Sequence, residues 1–198
     1  MNDLQAGIDV SKATFDVRLL MRTLAGLRDL GKSQFPIDAE GARSFLRWSV
    51  KASGGEPPFE RIKLHVVMEA TGVYSSRLSK FLRKAAGEFD VELLTSIANP
   101  LQISHYAKSL GLKTGSDSID AGAIALFGVE RKPAPTEAPS QERESLRGLV
   151  RARADIIAQR TAMKNRLESV EPASPAEKAY ASLLKAFEKE IAKLEKLM

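Results

Sequence analysis

The spacing of apolar residues changes several times along the chain, and each change marks an element. Residues 5–10 (QAGIDV) and 14–20 (TFDVRLL) are short and β-rich, and Ser11-Lys12-Ala13 between them predicts strand, turn, strand. A third strand is expected around Ser33–Ile37, with Gly31 as punctuation. A helix follows, capped by Asp38, with Ala42, Phe45, Leu46 and Ser49 on one face. After the SGGEPP loop (53–58), KLHVVME (63–69) is a short apolar run that ends in an acid. Ala70-Thr71-Gly72 turns into a helix striped by Leu78, Phe81, Leu82 and Ala85. FDVELLT (89–95) predicts another strand, Asn99-Pro100 starts a helix that ends near Gly111, and Asp117 begins a helix to about Val129. Strands alternating with helices after an opening meander indicate an α/β core with a mixed sheet.

Beyond Arg131 the pattern becomes wholly helical. RKPAPTEAP (131–139) predicts a linker, so the expected organisation is a domain over 1–130, a Pro-rich linker over 131–140 and a helical region over 141–198. One helix is expected from Gln141 to Val170 and a second from about Pro175, a residue suited to a first helical turn. Leu184, Phe187, Ile191, Leu194 and Met198 step by three and four residues, as a heptad seam does. Leu146, Leu149, Ile156, Met163, Leu167 and Val170 repeat the pattern, with Arg153 and Arg160 in two seam positions. This predicts a helical hairpin or coiled coil, and pairing within the chain and pairing with another subunit remain equally open.

Composition narrows the chemistry. Among 198 residues there is no cysteine and there are only two histidines, His65 and His105, so disulfides and thiolate metal sites are excluded. A catalytic metal is better sought on oxygen ligands, which favours Mg²⁺ or Mn²⁺. No apolar run approaches the roughly 20 residues that span a bilayer, and MNDLQAGIDV lacks the make-up of a secretory signal. The expected location is cytoplasmic and nucleoid-associated, with no membrane partner. The net charge is +5. Between 143 and 166, Arg143, Arg147, Arg151, Arg153, Arg160, Lys164 and Arg166 face only Glu144 and Asp155. That is an electrostatic footprint for polyphosphate, or else a solvated helix face in a basic protein.

Four acids stand where a strand ends or a helix begins: Asp9, Glu69, Asp117 and Asp120. Carboxylates on rigid element ends suit two-metal phosphodiester chemistry, in which a pair of divalent ions activates a nucleophile and steadies the leaving oxygen. Each acid also has an ordinary structural reading. Asp9 can bond a turn, Glu69 can cap the following helix, and Asp117 and Asp120 can serve as N-cap and first-turn acid. Trp48 reads as core rather than as a base-stacking platform, and Tyr74 and Lys12 as structural or phosphate-facing.

Four segments in this order resemble the DEDD transposases of insertion sequences, the group that includes the Piv pilin-gene invertase and the bridge-RNA-guided recombinases. They are GIDVSKATFDV (7–17), MEATGVYSSRLSKFL (68–82), IANPLQISHYAKSLGLKTGSDSIDAGAIA (97–125) and, more loosely, LRGLVRARADIIAQRTAMKNRLE (146–168). The resemblance implies an RNase H-like (RuvC-like) mixed sheet flanked by helices and followed by a helical coiled-coil stalk. It places metal ligands and catalysis on Asp9, Glu69, Asp117 and Asp120. It further implies a DNA transposase or recombinase that works with a structured guide RNA and forms a homo-oligomer through the coiled coil. Family members carry Lys-Thr immediately before D-x-x-D; here Gly115-Ser116 stands there and Lys113-Thr114 lies just upstream. The family also has a serine-bearing C-terminal domain that this chain lacks, so complete recombination activity is not expected of the chain alone. Nucleic-acid contacts are expected at Lys12, Lys113, Arg147, Arg151, Arg153, Arg160, Lys164 and Arg166. A junction-resolving nuclease would share the fold and metal chemistry, and a non-catalytic scaffold, whose α/β domain binds RNA and whose stalk dimerises, would not need the metal chemistry. An actin-like ATPase also has a hairpin like GIDVSK, but it needs a second Asp-x-Gly hairpin and a Gly-Gly motif that are not present.

Overall fold

A computed structural model describes residues 3–54, 62–89, 91–112, 120–138 and 140–198. They form two compact units, residues 1–137 and 138–198. The first unit is built on five strands: β1 (Asp3–Val10), β2 (Thr14–Thr23), β3 (Gly26–Pro36), β4 (Ile62–Glu69) and β5 (Val91–Ala98). Their order is β3-β2-β1-β4-β5, with β2 antiparallel to both neighbours and the β1–β4–β5 pairs parallel. One antiparallel strand next to the first of three parallel ones is the mixed sheet of an RNase H-like fold.

Period-two alternation sorts the side chains between two faces. Leu4, Ala6, Ile8, Val10, Phe15, Val17, Leu19, Leu64, Val66 and Met68 point to one face and form the main core with α1 (Ala39–Ala52) and α2 (Val73–Ala86). Phe15, Phe35, Phe45 and Trp48 stack through ring contacts of 5.6–6.5 Å. Trp48 therefore packs on the core, as its helical phase suggests. Asp38 caps α1 as expected, accepting from the Gly41 N–H at 2.7 Å.

The other face carries a smaller core of Val67, Ala98, Ile103, Tyr106, Ile124 and Phe127 under α3 (Pro100–Ser109) and α4 (Ala121–Arg131). Here α4 lies directly on β1. A Cβ on Gly7 would collide with the backbone of Ala121 and Ala125, and one on Gly128 would collide with Gln5 and Val67. Gly7 lets helix and strand approach backbone to backbone, and Gly128 leaves room for the Gln5 and Val67 side chains. The β2–β3 part of this face is left open.

Three expectations shift. The third strand runs from Gly26 rather than from Ser33; Gly31 (φ 114°) lies inside it, beside a bulge where β3 carries one extra residue opposite Leu19/Leu20. The helix expected from Asp117 begins at Ala121, with Asp120 as its N-cap, because Asp120 is extended (ψ 139°). Residues 133–136 run beside β5 rather than standing free. The Thr136 N–H donates to Thr95 O at 2.7 Å, the Ile97 N–H donates to Thr136 Oγ1 at 2.9 Å, and Arg83 donates to Thr136 O.

In the second unit, α5 (Gln141–Leu167) and α6 (Pro175–Leu197) pack side by side. Of the expected seam, Leu149, Ile156, Met163, Leu167, Val170, Leu184, Phe187 and Leu194 are half-buried and Ile191 is buried, whereas Leu146 and Met198 are exposed. The seam arginine Arg153 is neutralised across the pair by Glu195 at 2.6 Å. No helix among the described residues is long and apolar enough to cross a membrane.

Candidate functional site

The carboxylates gather where β1 and β4 end and α4 begins. Asp9 is the penultimate residue of β1, and its register partner across the antiparallel pair is Asp16 of β2. Like charges directly opposite on one face destabilise a sheet, so this pairing has a cost unless something positive sits between them. Burial first, then the Asp16 carboxylate and more weakly Asp120, push the Asp9 carboxyl above its ordinary value, against a lowering bond from the Val10 backbone. Glu69, the last residue of the neighbouring parallel strand β4, is pushed up by burial and by Asp9. Asp9 is thus the electrostatic centre: the field that Glu69 feels comes from Asp9, and Asp16 and Asp120 both act on Asp9.

Asp120 reaches the same place from the helix. Its Oδ1 accepts from the Gly122 N–H at 3.1 Å, the ordinary N-cap arrangement, and it lines a cleft of about 510 Å³ with Asp9 and Asp16. No ion pair joins Asp9, Asp16, Glu69 or Asp120 to a base among the described residues. Asp16 instead accepts from Gln34 Nε2 at 3.0 and 3.2 Å. The Thr71 hydroxyl, two residues beyond Glu69, is buried and has no hydrogen-bond partner among the described residues.

The all-oxygen donor set suits a hard divalent cation. Closure around one ion is only partial: among the described residues no three acidic or histidine side chains stand close enough to share a metal. Asp117 and Lys113 lie outside the described residues.

Further along the cleft the floor turns basic. Arg18 and Lys32, cross-strand partners on β2 and β3, line it beside Ser33 and Gln34, and Arg18 pairs with Asp29. Asp16, Arg18, Lys32 and Gln34 form an open polar platform next to Asp9. None of the four is among the sequence-derived candidates. Their signal is the alternation in TFDVRLL, which marks Asp16 and Arg18 as the polar phase of an otherwise buried strand. Lys12 is exposed in the β1–β2 turn at the same end of the sheet, where Ser11 Oγ bonds Thr14 O at 2.7 Å.

The remaining basic candidates lie on α5, in the other unit. Arg147, Arg151, Lys164 and Arg166 are exposed, while Arg153 and Arg160 are half-buried and Arg153 is engaged by Glu195.

A five-stranded mixed sheet in this order, with carboxylates near the ends of β1 and β4 that form no ion pair among the described residues, defines the RNase H-like class of α/β domains. The particular family follows from sequence. The transposase family model of the IS110 DEDD type matches residues 6–170, most of the chain, and the chain belongs to that family. The pilin gene-inverting protein of Moraxella bovis is 28% identical over 153 residues, covering 77% of this chain and 42% of the relative. The Moraxella lacunata protein of the same name gives the same figures. The chain therefore spans about two fifths of the length of the curated relatives it matches. Among solved structures, T. thermophilus RuvC in complex with a Holliday junction substrate is similar over 67% of this chain and 98% of its own, at 16% identity and a TM-score of 0.39. A Ppx/GppA family member from Aquifex aeolicus is similar over 79% of this chain and 62% of its own, at 14% identity and a TM-score of 0.31.

Proposed function

We propose that this chain is the catalytic, cation-binding domain of a transposase or site-specific recombinase. Asp9, Glu69 and Asp120 hold Mg²⁺ or Mn²⁺, Asp117 completes the set, and DNA and a structured guide RNA are the partners. The observation that carries this reading is the charge on Asp9. Three other carboxylates act on or respond to it, and no base among the described residues balances them. Such a cluster is tolerable in a folded domain when a cation sits among its members.

When bound, a divalent ion supplies Lewis-acid activation at a phosphodiester and stabilises the leaving oxygen. The chain's own residues do the rest. β1 and β4, hydrogen-bonded on both sides, fix Asp9 and Glu69. Gly7 lets α4 seat close enough to bring Asp120 to them. The Arg18–Lys32 platform lies in line with Asp9, where the phosphates of an incoming strand need positive charge. Arg147, Arg151, Arg160, Lys164 and Arg166, with Arg153 in the seam, meet the nucleic-acid backbone along α5, and the helical hairpin joins copies of the chain.

Thermal unfolding with Mg²⁺ and Mn²⁺ tests the metal assignment. A ligand that binds only the folded state raises the transition temperature with concentration. The expected result is a rise for the wild type at millimolar ion that Asp9→Asn and Glu69→Gln abolish while keeping their circular dichroism spectra. An equal rise in the variants overturns the assignment.

A further inference from the structure

The end of the sheet opposite the carboxylates has the reverse charge. On the face covered by α4, β4 reads Lys63, His65, Val67, Glu69, basic at its start and acidic at its end. At the basic end a cleft of about 380 Å³ is lined by Arg22 from β2, Lys63 and His65 from β4, and Lys132 just past α4. Among the described residues Asp3 is the one acid lining it, the register partner of both Arg22 and Lys63, and it offsets one of the three cations Arg22, Lys63 and Lys132. A second cleft of about 480 Å³, lined by Arg131, His105 and Tyr106, meets the first at Pro133. Arg131 stacks over the Tyr106 ring, 5.7 Å from its centroid. Glu130 is the opposing charge there, acting on the Tyr106 hydroxyl.

Complementing the dipole of α4 needs only Arg131 in its last turn and Lys132 at its C-cap. It does not explain why β2 and β4 each add a cation to the same cleft, where neither Arg22 nor Lys63 has an ion pair among the described residues. Arg22 donates to Val129 O at 3.4 Å, which turns its guanidinium toward the end of α4. Lys132 holds a left-handed backbone (φ 45°, ψ 57°) that glycine adopts more readily, so a lysine stands where the chain geometry favours glycine. His65 Nε2 lies 2.7 Å from Ser96 Oγ, and that hydroxyl lies 3.0 Å from both Pro133 O and Ala134 O. Carbonyls only accept, so Ser96 donates to one of them and His65 Nε2–H donates to Ser96. The ring is fixed at the cleft wall.

We propose that this basic lip is a second docking site, for the phosphodiester backbone of a nucleic acid, separate from the carboxylate cleft. The 11 residues of α4, at about 1.5 Å each, hold the two sites roughly 16 Å apart. The proposal deepens the reading of the chain as a nucleic-acid-processing domain. It needs no divalent ion, so it stands or falls apart from the metal assignment.

The chain has only two histidines, His65 in the first cleft and His105 in the second, so its imidazole spectrum is a direct reporter of the lip. The full chain is titrated in EDTA with an RNA hairpin and, separately, with a short DNA duplex, while anisotropy measures total binding. The expected result is a saturable shift of the His65 signals with at least one of the two, and the arm that responds names the source of the phosphate. In Lys63→Gln/Lys132→Gly, which suits both backbones, affinity falls at least about fivefold. The slope of log K against log salt becomes shallower by about 1.8, at about 0.9 for each of two duplex phosphate contacts. Binding without movement of the His65 signals, an unchanged affinity and slope in the double variant, or no binding of either nucleic acid overturns the proposal.

Discussion

Asp9 shows how a single side chain governs its surroundings. A carboxyl whose proton affinity is raised by folding binds that proton more readily in the folded state. Stability then rises as pH falls through the raised values and is lost as pH climbs past them. Burial and like charge raise both Asp9 and Glu69, so without metal the stability these two contribute is lost as pH climbs from the ordinary carboxylate range through their raised values. Asp9→Asn removes the centre of that repulsion. It is expected to gain about 0.5–1 kcal/mol at pH 7, the size of a partly screened charge interaction, and nothing near pH 3. Urea unfolding of wild type and variant across pH checks this, and the difference between them cancels carboxyls shifted the other way, such as Glu88, held low by Arg43. A variant that gains no more over wild type at pH 7 than at pH 3 refutes the repulsion. Asp9 and Glu69 were legible in the sequence because one lies within the short β-rich run that opens the fold and the other closes the apolar run KLHVVME. Asp16 was not: alternation marks it as polar, and only the β1–β2 register places it opposite Asp9.

At the scale of elements, the seat of α4 is the sensitive joint. Gly7→Ala drives a methyl group into the backbone of Ala121 and Ala125, and overpacking of this kind costs about 1–3 kcal/mol. It also lifts the helix start that carries Asp120, so metal-induced stabilisation should weaken along with the fold. Gly148→Ala is the contrast, since nothing lies near its missing Cβ in the middle of α5. A gain of about 0.5–1 kcal/mol is expected there. Denaturant titration of both variants tests the pair, and a tolerated Gly7→Ala would contradict the close helix–strand contact. Most elements could be read from periodicity, and the exceptions have physical reasons. β3 is an edge strand with exposed Arg28, Asp29 and Lys32, so it lacks the buried phase that marks β1 and β4. The lie of residues 133–136 depends on Thr95, Ile97 and Arg83, partners that local composition does not reveal. Prolines there read as a linker although their neighbours bond the sheet.

For the whole molecule, the two units differ in how much they bury. The first encloses a continuous core on one sheet face and a smaller one on the other. Among the described residues of the second, Ile191 alone is buried. Deleting a buried aliphatic side chain costs about 2–5 kcal/mol, a large fraction of what two helices can supply. Ile191→Ala is expected to speed amide exchange throughout α5 and α6 while leaving β1 and β4 protected, as hydrogen exchange with mass spectrometry would show. Equal loss in both units would mean that they unfold as one. The segment along β5 has a different consequence. Exposed sheet borders invite strands from sister molecules, the first step toward fibrous aggregates. With Thr136 bonded to Thr95 and Ile97, that template is occupied by the chain's own backbone. Freeing it, as by Thr136→Pro, which removes both bonds, should turn a well-behaved protein into one that precipitates on concentration.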